Sequence, residues 1–96
     1  MMFRITKTFE NPITYIFRIE GKITDNGLTD WADEINKFKS VSGRQVILDF
    51  SQLFFIAPKA VEVLLNNITE NVFILNCSTE VRNRFHSSGL RGRMLE

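Results

Sequence analysis

Apolar and polar residues alternate almost from the start of the chain. Phe3, Ile5 and Phe9 are interleaved with Arg4, Thr6 and Thr8, the period-two pattern of a half-buried strand. Asn11-Pro12 is a turn signal. Ile13, Tyr15, Phe17 and Ile19 then place four apolar side chains on one face of a second strand, which Gly21 is expected to end. Lys22-Ile23-Thr24 leads into Asp25-Asn26-Gly27, which reads as a loop. The period changes next. Leu28, Trp31, Ile35 and Phe38 recur at intervals of three and four, an amphipathic helix with Asp30, Asp33, Glu34 and Lys37 facing water. Ser40 to Gly43 closes it.

The second half repeats strand and helix. Val46 to Phe50 predicts a third strand, and its run of apolar neighbours suggests burial on both faces, as at the centre of a parallel sheet. An apolar elbow, Leu53 to Ile56, precedes Pro58, which opens a helix whose core stripe is Val61, Leu64, Leu65 and Ile68. Val72 to Leu75 predicts a fourth, doubly buried strand. Asn76-Cys77-Ser78 turns the chain, with Ser78 as the N-cap of a third helix anchored by Val81 and Phe85 and ending near Gly89. The order is β-β-α-β-α-β-α: an α/β domain with a mixed, mainly parallel four-stranded sheet packed with helices. Two helix-containing crossovers predict right-handed βαβ units.

Length sets the domain count. Ninety-six residues support one core and not two, so residues 1–96 are expected to form a single domain. Twelve Lys and Arg against eleven Asp and Glu leave a net charge of +1. That balance and the missing aromatic interleaving point away from nucleic acid. No apolar run is long enough to span a bilayer, and no signal-peptide pattern opens the chain. One cysteine rules out an internal disulfide framework and fits a reducing, cytoplasmic setting.

Little in the sequence resembles catalytic chemistry. His86 is the only histidine, Cys77 lies nine residues from it without further ligands, and the five glycines are scattered. Neither a metal cluster, a nucleophile–base pair nor a phosphate-cradling loop follows, so no cofactor and no enzyme activity is expected. Asp49, at the C-terminal end of a parallel strand, reads as an acceptor for nearby loop amides.

Between Val46 and Leu65, and again between Val72 and Leu90, the chain resembles a STAS domain, the family of sulfate transporters and anti-sigma factor antagonists. Leu48-Asp49-Phe50-Ser51 is similar to that family's Leu-Asp-Leu-Ser strand end, and Leu53, Phe55 and Ile56 fill its apolar elbow. Gly21-Lys22-Ile23-Thr24 resembles its Gly-Glu-Leu-Asp. Asn76-Cys77-Ser78, Val81 and Ser88-Gly89-Leu90 resemble its late strand–helix segment. The resemblance implies a bacterial-type regulatory domain that acts by protein contact, with an anti-sigma-type kinase or a larger signalling assembly as partner. The family usually continues with another strand and helix after this segment; a missing final element would leave a sheet edge or core face open, which would favour a homodimer or strand exchange.

One departure matters for function. Where the family carries Asp-Ser-Ser-Gly or Asp-Ser-Thr-Gly, this chain has Ala57, Pro58, Lys59 and Ala60. In the family's antagonists the second hydroxyl accepts phosphate from a partner kinase, which breaks the complex. Lys59 occupies the matching position, so the resemblance implies that this switch is absent. Ala57 cannot supply an N-cap oxygen, which forfeits roughly 1 kcal/mol; Pro58 offsets part of it at the first helical position. Lys59 faces the positive end of the helix at a cost of a few tenths to about 1 kcal/mol.

Two readings of Lys59 stay open: a solvated side chain left after a lost function, or a site retuned for a carboxylate or phosphate on a partner. Phe54 has two as well. Strand alternation turns it outward as an apolar anchor, or it folds back under the first helix. The expected contact surface is Phe54, Ala57, Pro58 and Lys59, with Glu62 one turn along. Arg82, Arg84, Arg91 and Arg93 crowd the C-terminal part. They read either as a solvated face or as an anion patch for a lipid head group or small anion. The patch supports an alternative role as a small-molecule or lipid-binding accessory subunit of a transport system.

Overall fold

The structure is a computed structural model that describes residues 3–39, 43–75, 79 and 81–83. Its elements are β1 (Phe3–Glu10), β2 (Thr14–Ile23), a short 3-10 turn (Asp25–Gly27), α1 (Leu28–Lys39), β3 (Gln45–Ile56), α2 (Pro58–Asn67) and β4 (Val72–Leu75). The strands form one mixed sheet in the order β1-β2-β3-β4. β1 and β2 pair antiparallel, while β2, β3 and β4 run parallel. Each parallel neighbour is reached through a helix, as a parallel connection requires.

Register explains the core. Tyr15 pairs with Val46 and Val46 with Val72; Phe17 pairs with Leu48 and Leu48 with Ile74. These rows share one face of the sheet, because side chains repeat every second residue. Trp31, Ile35 and Phe38 of α1 and Ala60, Val61 and Leu64 of α2 complete the buried cluster with them. The α1 stripe therefore packs as its periodicity predicts, and the Trp31 indole meets the Phe3 ring edge-on at 5.7 Å. Along another row, Thr6 pairs with Arg18, Arg18 with Asp49, and Asp49 with Leu75. Polar residues dominate there.

Several expectations need correction. Ile13 does not join the β2 face: it precedes the strand and is 68% exposed. Its carbonyl accepts from the Gln45 amide at 2.8 Å, a backbone role that leaves the side chain in water. Gly21 does not end β2, which continues to Ile23; the glycine adopts φ +97°, open to it because it lacks a Cβ.

The Leu53–Ile56 elbow is also not separate from the third strand, since β3 runs unbroken to Ile56. Nor are β3 and β4 sealed on both faces. Val46, Leu48, Phe50, Val72 and Ile74 are buried, whereas Ile47, Phe73 and Leu75 are only half-buried. In the α2 stripe, Val61 and Leu64 are buried, Leu65 is half-buried, and Ile68 is the residue that caps the helix. Val81 is buried within the helical residues after β4. Ser40 to Ser42, Asn76 to Ser78, Phe85 and Gly89 lie outside the described residues.

Candidate functional site

The β3–α2 junction is built by two irregularities in β3. Arg18 pairs with Asp49 and Glu20 with Gln52, so β3 uses one more residue than β2 over that step. Gly21 then pairs with Leu53 and Lys22 with Phe55, which leaves Phe54 without a partner. Each extra residue reverses the in–out alternation. The buried positions accordingly run Val46, Leu48, Phe50, Leu53, Ile56, at spacings of two and then three. The spacing that reads as strand plus elbow is one strand with two bulges.

Phe54 is the extra residue of the second bulge, and the structure turns it outward at 68% exposure. Phe55 beside it is half-buried and Ile56 is buried. Asp49 anchors the first bulge: its Oδ1 accepts from the Ser51 amide at 2.9 Å. The predicted role of Asp49 is thus present, with an acceptor aimed at strand backbone instead of a loop.

Beyond Ile56 the chain is pinned at once. The Ala57 amide donates to the Ile23 carbonyl at 2.8 Å, tying the helix start to the end of β2. Ala57 is the N-cap, 4% exposed, and no side chain caps the first turn. Its carbonyl accepts from Ala60 at 2.9 Å and from Val61 at 3.1 Å. Pro58 has no amide hydrogen. Lys59 is therefore the first-turn residue whose N–H receives no acceptor from a capping side chain. The first turn has no acidic residue either.

Pro58, Lys59 and Glu62 are all exposed, while Ala60 and Val61 are buried. Of the five residues expected at the contact surface, four reach solvent and Ala57 does not. Its contribution is confined to the backbone. Trp31 locks this turn from below, with its Nε1–H donating to the Ala60 carbonyl at 3.0 Å. That bond links α1 to the candidate surface and had no signal in the sequence. Arg82 is half-buried; Arg84, Arg91, Arg93, Cys77 and His86 lie outside the described residues.

A second cluster escaped sequence reasoning. Glu10 takes hydrogen bonds from Lys7 at 2.7 Å and Arg44 at 3.1 Å. Lys7 and Arg44 also lie over the Tyr15 ring, 5.3 and 4.4 Å from its centroid. The Lys7 hydrogen bond above all, with help from Tyr15 and Arg44, holds the Glu10 carboxyl below its usual range. The same bond raises Lys7. Arg44 lies 34 residues from Glu10, so no local spacing betrays the contact.

Among the described residues, no group of three or more His, Cys, Asp or Glu side chains is placed to hold a metal ion. No described helix is long and apolar enough to cross a membrane.

No family model matches the sequence, and no curated protein matches it. Solved structures do match the fold. The anti-sigma factor antagonist SpoIIAA in its unphosphorylated form superposes with a TM-score of 0.75 at 21% identity, over 96% of this chain and 86% of that one. The Bacillus cell fate determinant SpoIIAA in the phosphorylated form gives 0.69 at 20% identity, over 96% and 89%. An anti-sigma factor antagonist from Mycobacterium paratuberculosis gives 0.79 at 12% identity, over 97% and 83%. At these identities the likeness concerns architecture: the chain has the fold of the anti-sigma factor antagonists.

Proposed function

We propose that this protein is a non-catalytic regulatory domain of the cytoplasm that works by binding another protein through the β3–α2 junction. The partner is an anti-sigma-type kinase or a larger signalling assembly. The observation that carries the reading is Phe54. A phenylalanine held 68% exposed by a bulge, at the strand end leading into the first turn of α2, costs apolar hydration that a partner would relieve. The shared fold with anti-sigma factor antagonists supports the choice of partner class.

Around Phe54 the surface offers Pro58, Lys59 and Glu62, with the Lys59 charge at the positive helix end. This combination suits an apolar pocket flanked by a carboxylate. With Lys59 at the position matching the family's phosphoacceptor, the proposed complex is constitutive or governed by the partner's own state.

The test is gentle capture of the protein from its own cell extract, followed by titration of the companion with Lys59→Glu. Reversing one charge at the rim should weaken binding about tenfold and make the remaining affinity less salt-sensitive. Unchanged affinity would move the interface elsewhere.

A further inference from the structure

The face of the molecule formed by α1 and the β1–β2 hairpin carries a groove of about 330 Å³, lined by Ile5, Lys7, Tyr15, Phe17, Glu34, Lys37 and Phe38. That volume falls at the small end of ligand pockets. Its wall is aromatic. The Tyr15 and Phe17 rings are 5.8 Å apart and tilted by 34°, and Phe17 and Phe38 are 4.9 Å apart and tilted by 41°. Phe38 is buried, while Tyr15, Phe17 and Ile5 are half-buried.

The rim is charged. Lys7 reaches Glu10 at 2.7 Å and Lys37 reaches Glu34 at 3.2 Å. An ammonium has three donor hydrogens, so Lys7 can keep its carboxylate and serve another acceptor. Arg44 bonds the same Glu10 at 3.1 Å from outside the groove, and of the charged side chains that line the groove two, Lys7 and Lys37, are cations and one, Glu34, is a carboxylate. Glu10 shows what the cluster holds: a carboxylate that takes bonds from Lys7 and Arg44 beside the Tyr15 ring.

We propose that this groove binds a small aromatic carboxylate, its ring against Tyr15, Phe17 and Phe38 and its acid group between Lys7 and Lys37. Charge complementarity selects the acid, since the cations outnumber the rim carboxylates. The ring ladder selects an aromatic body, because tilted and edge-on ring contacts favour another ring over an alkyl chain. The site does not depend on the β3–α2 junction, which uses other residues.

The experiment is an NMR titration of the intact chain with 3-phenylpropionate, alongside the uncharged 3-phenylpropanol and the non-aromatic hexanoate. Saturable shifts should gather at Ile5, Phe17 and Phe38, with millimolar or better affinity as fits so small a ligand. The double variant Lys7→Gln, Lys37→Gln should weaken 3-phenylpropionate roughly fivefold or more, with both lysines at the surface and the fold checked by emission of the buried Trp31. Lys59→Glu should leave the titration unchanged. Absent or non-saturable shifts, equal binding of the alcohol, equal binding of hexanoate, or indifference to the double variant would each overturn the assignment.

Discussion

The two halves of β3 solve different problems with the same extended backbone. From Val46 to Asp49 the strand pairs in register on both sides, and as far as Phe50 it buries every second residue. From Ser51 to Ile56 it carries two extra residues, and a phenylalanine stands in water. The first half holds the sheet together; the second re-aims side chains next to a helix start. A bulge lets one strand serve both ends, because it changes which face a residue sees without breaking the chain's path.

That contrast can be broken most severely in the regular half. Leu48→Ala removes a fully buried side chain between Phe17 and Ile74, and should cost about 2–5 kcal/mol in denaturant unfolding. A smaller loss would mean that neighbours collapse into the space. At the junction, Ala57→Ser restores a capping oxygen where the backbone is already extended, at φ −67° and ψ 148°. It should raise stability by about 0.5–1 kcal/mol. A drop would show that the 4% exposed site has no room for a hydroxyl.

Phe54→Ala sharpens the comparison from the other side. Its stability should change by less than about 0.5 kcal/mol, although Leu48 and Phe54 are both large apolar residues of one strand. Affinity for the captured partner should fall at the same time. A large loss of stability with intact binding would return Phe54 to the core.

The weakest effect belongs to Glu10, at the far end of the sheet. The hydrogen bond from Lys7 holds its carboxyl below the usual range in the folded protein. A depressed acid contributes stability above the pKa it has when unfolded and loses it as pH falls through the lower folded value. Wild type should therefore lose a small stability increment over that acidic window that Glu10→Gln lacks. Both groups are at the surface, so thermal melts at low salt are needed to see it.

Element types and their order were legible because burial imposes periods on the sequence. Leu28, Trp31, Ile35 and Phe38 announce α1, and β4 is readable from four consecutive apolar residues. The same logic misread the segment after Phe50, because a bulge shifts the period by one and imitates the end of a strand. Ile13 was misplaced for a related reason: its apolar character continues the β2 alternation, yet its backbone is used to receive Gln45. At the candidate site the sequence pointed to Ala57 through Lys59 and Glu62, and left Phe54 open between two readings.

By itself, then, the amino-acid order determined the α/β class, the helix faces, Pro58 at the first position of α2, and the absence of a hydroxyl from Ala57 to Ala60. These are local properties, set by backbone preferences and by which residues avoid water. Only the tertiary structure decided that Phe54 faces out, that Trp31 holds the Ala60 carbonyl, and that Arg44 joins Lys7 on Glu10 beside an aromatic groove. Those contacts join residues far apart in the chain or depend on pairing with another strand, and pairing register has no signature within the strand that obeys it.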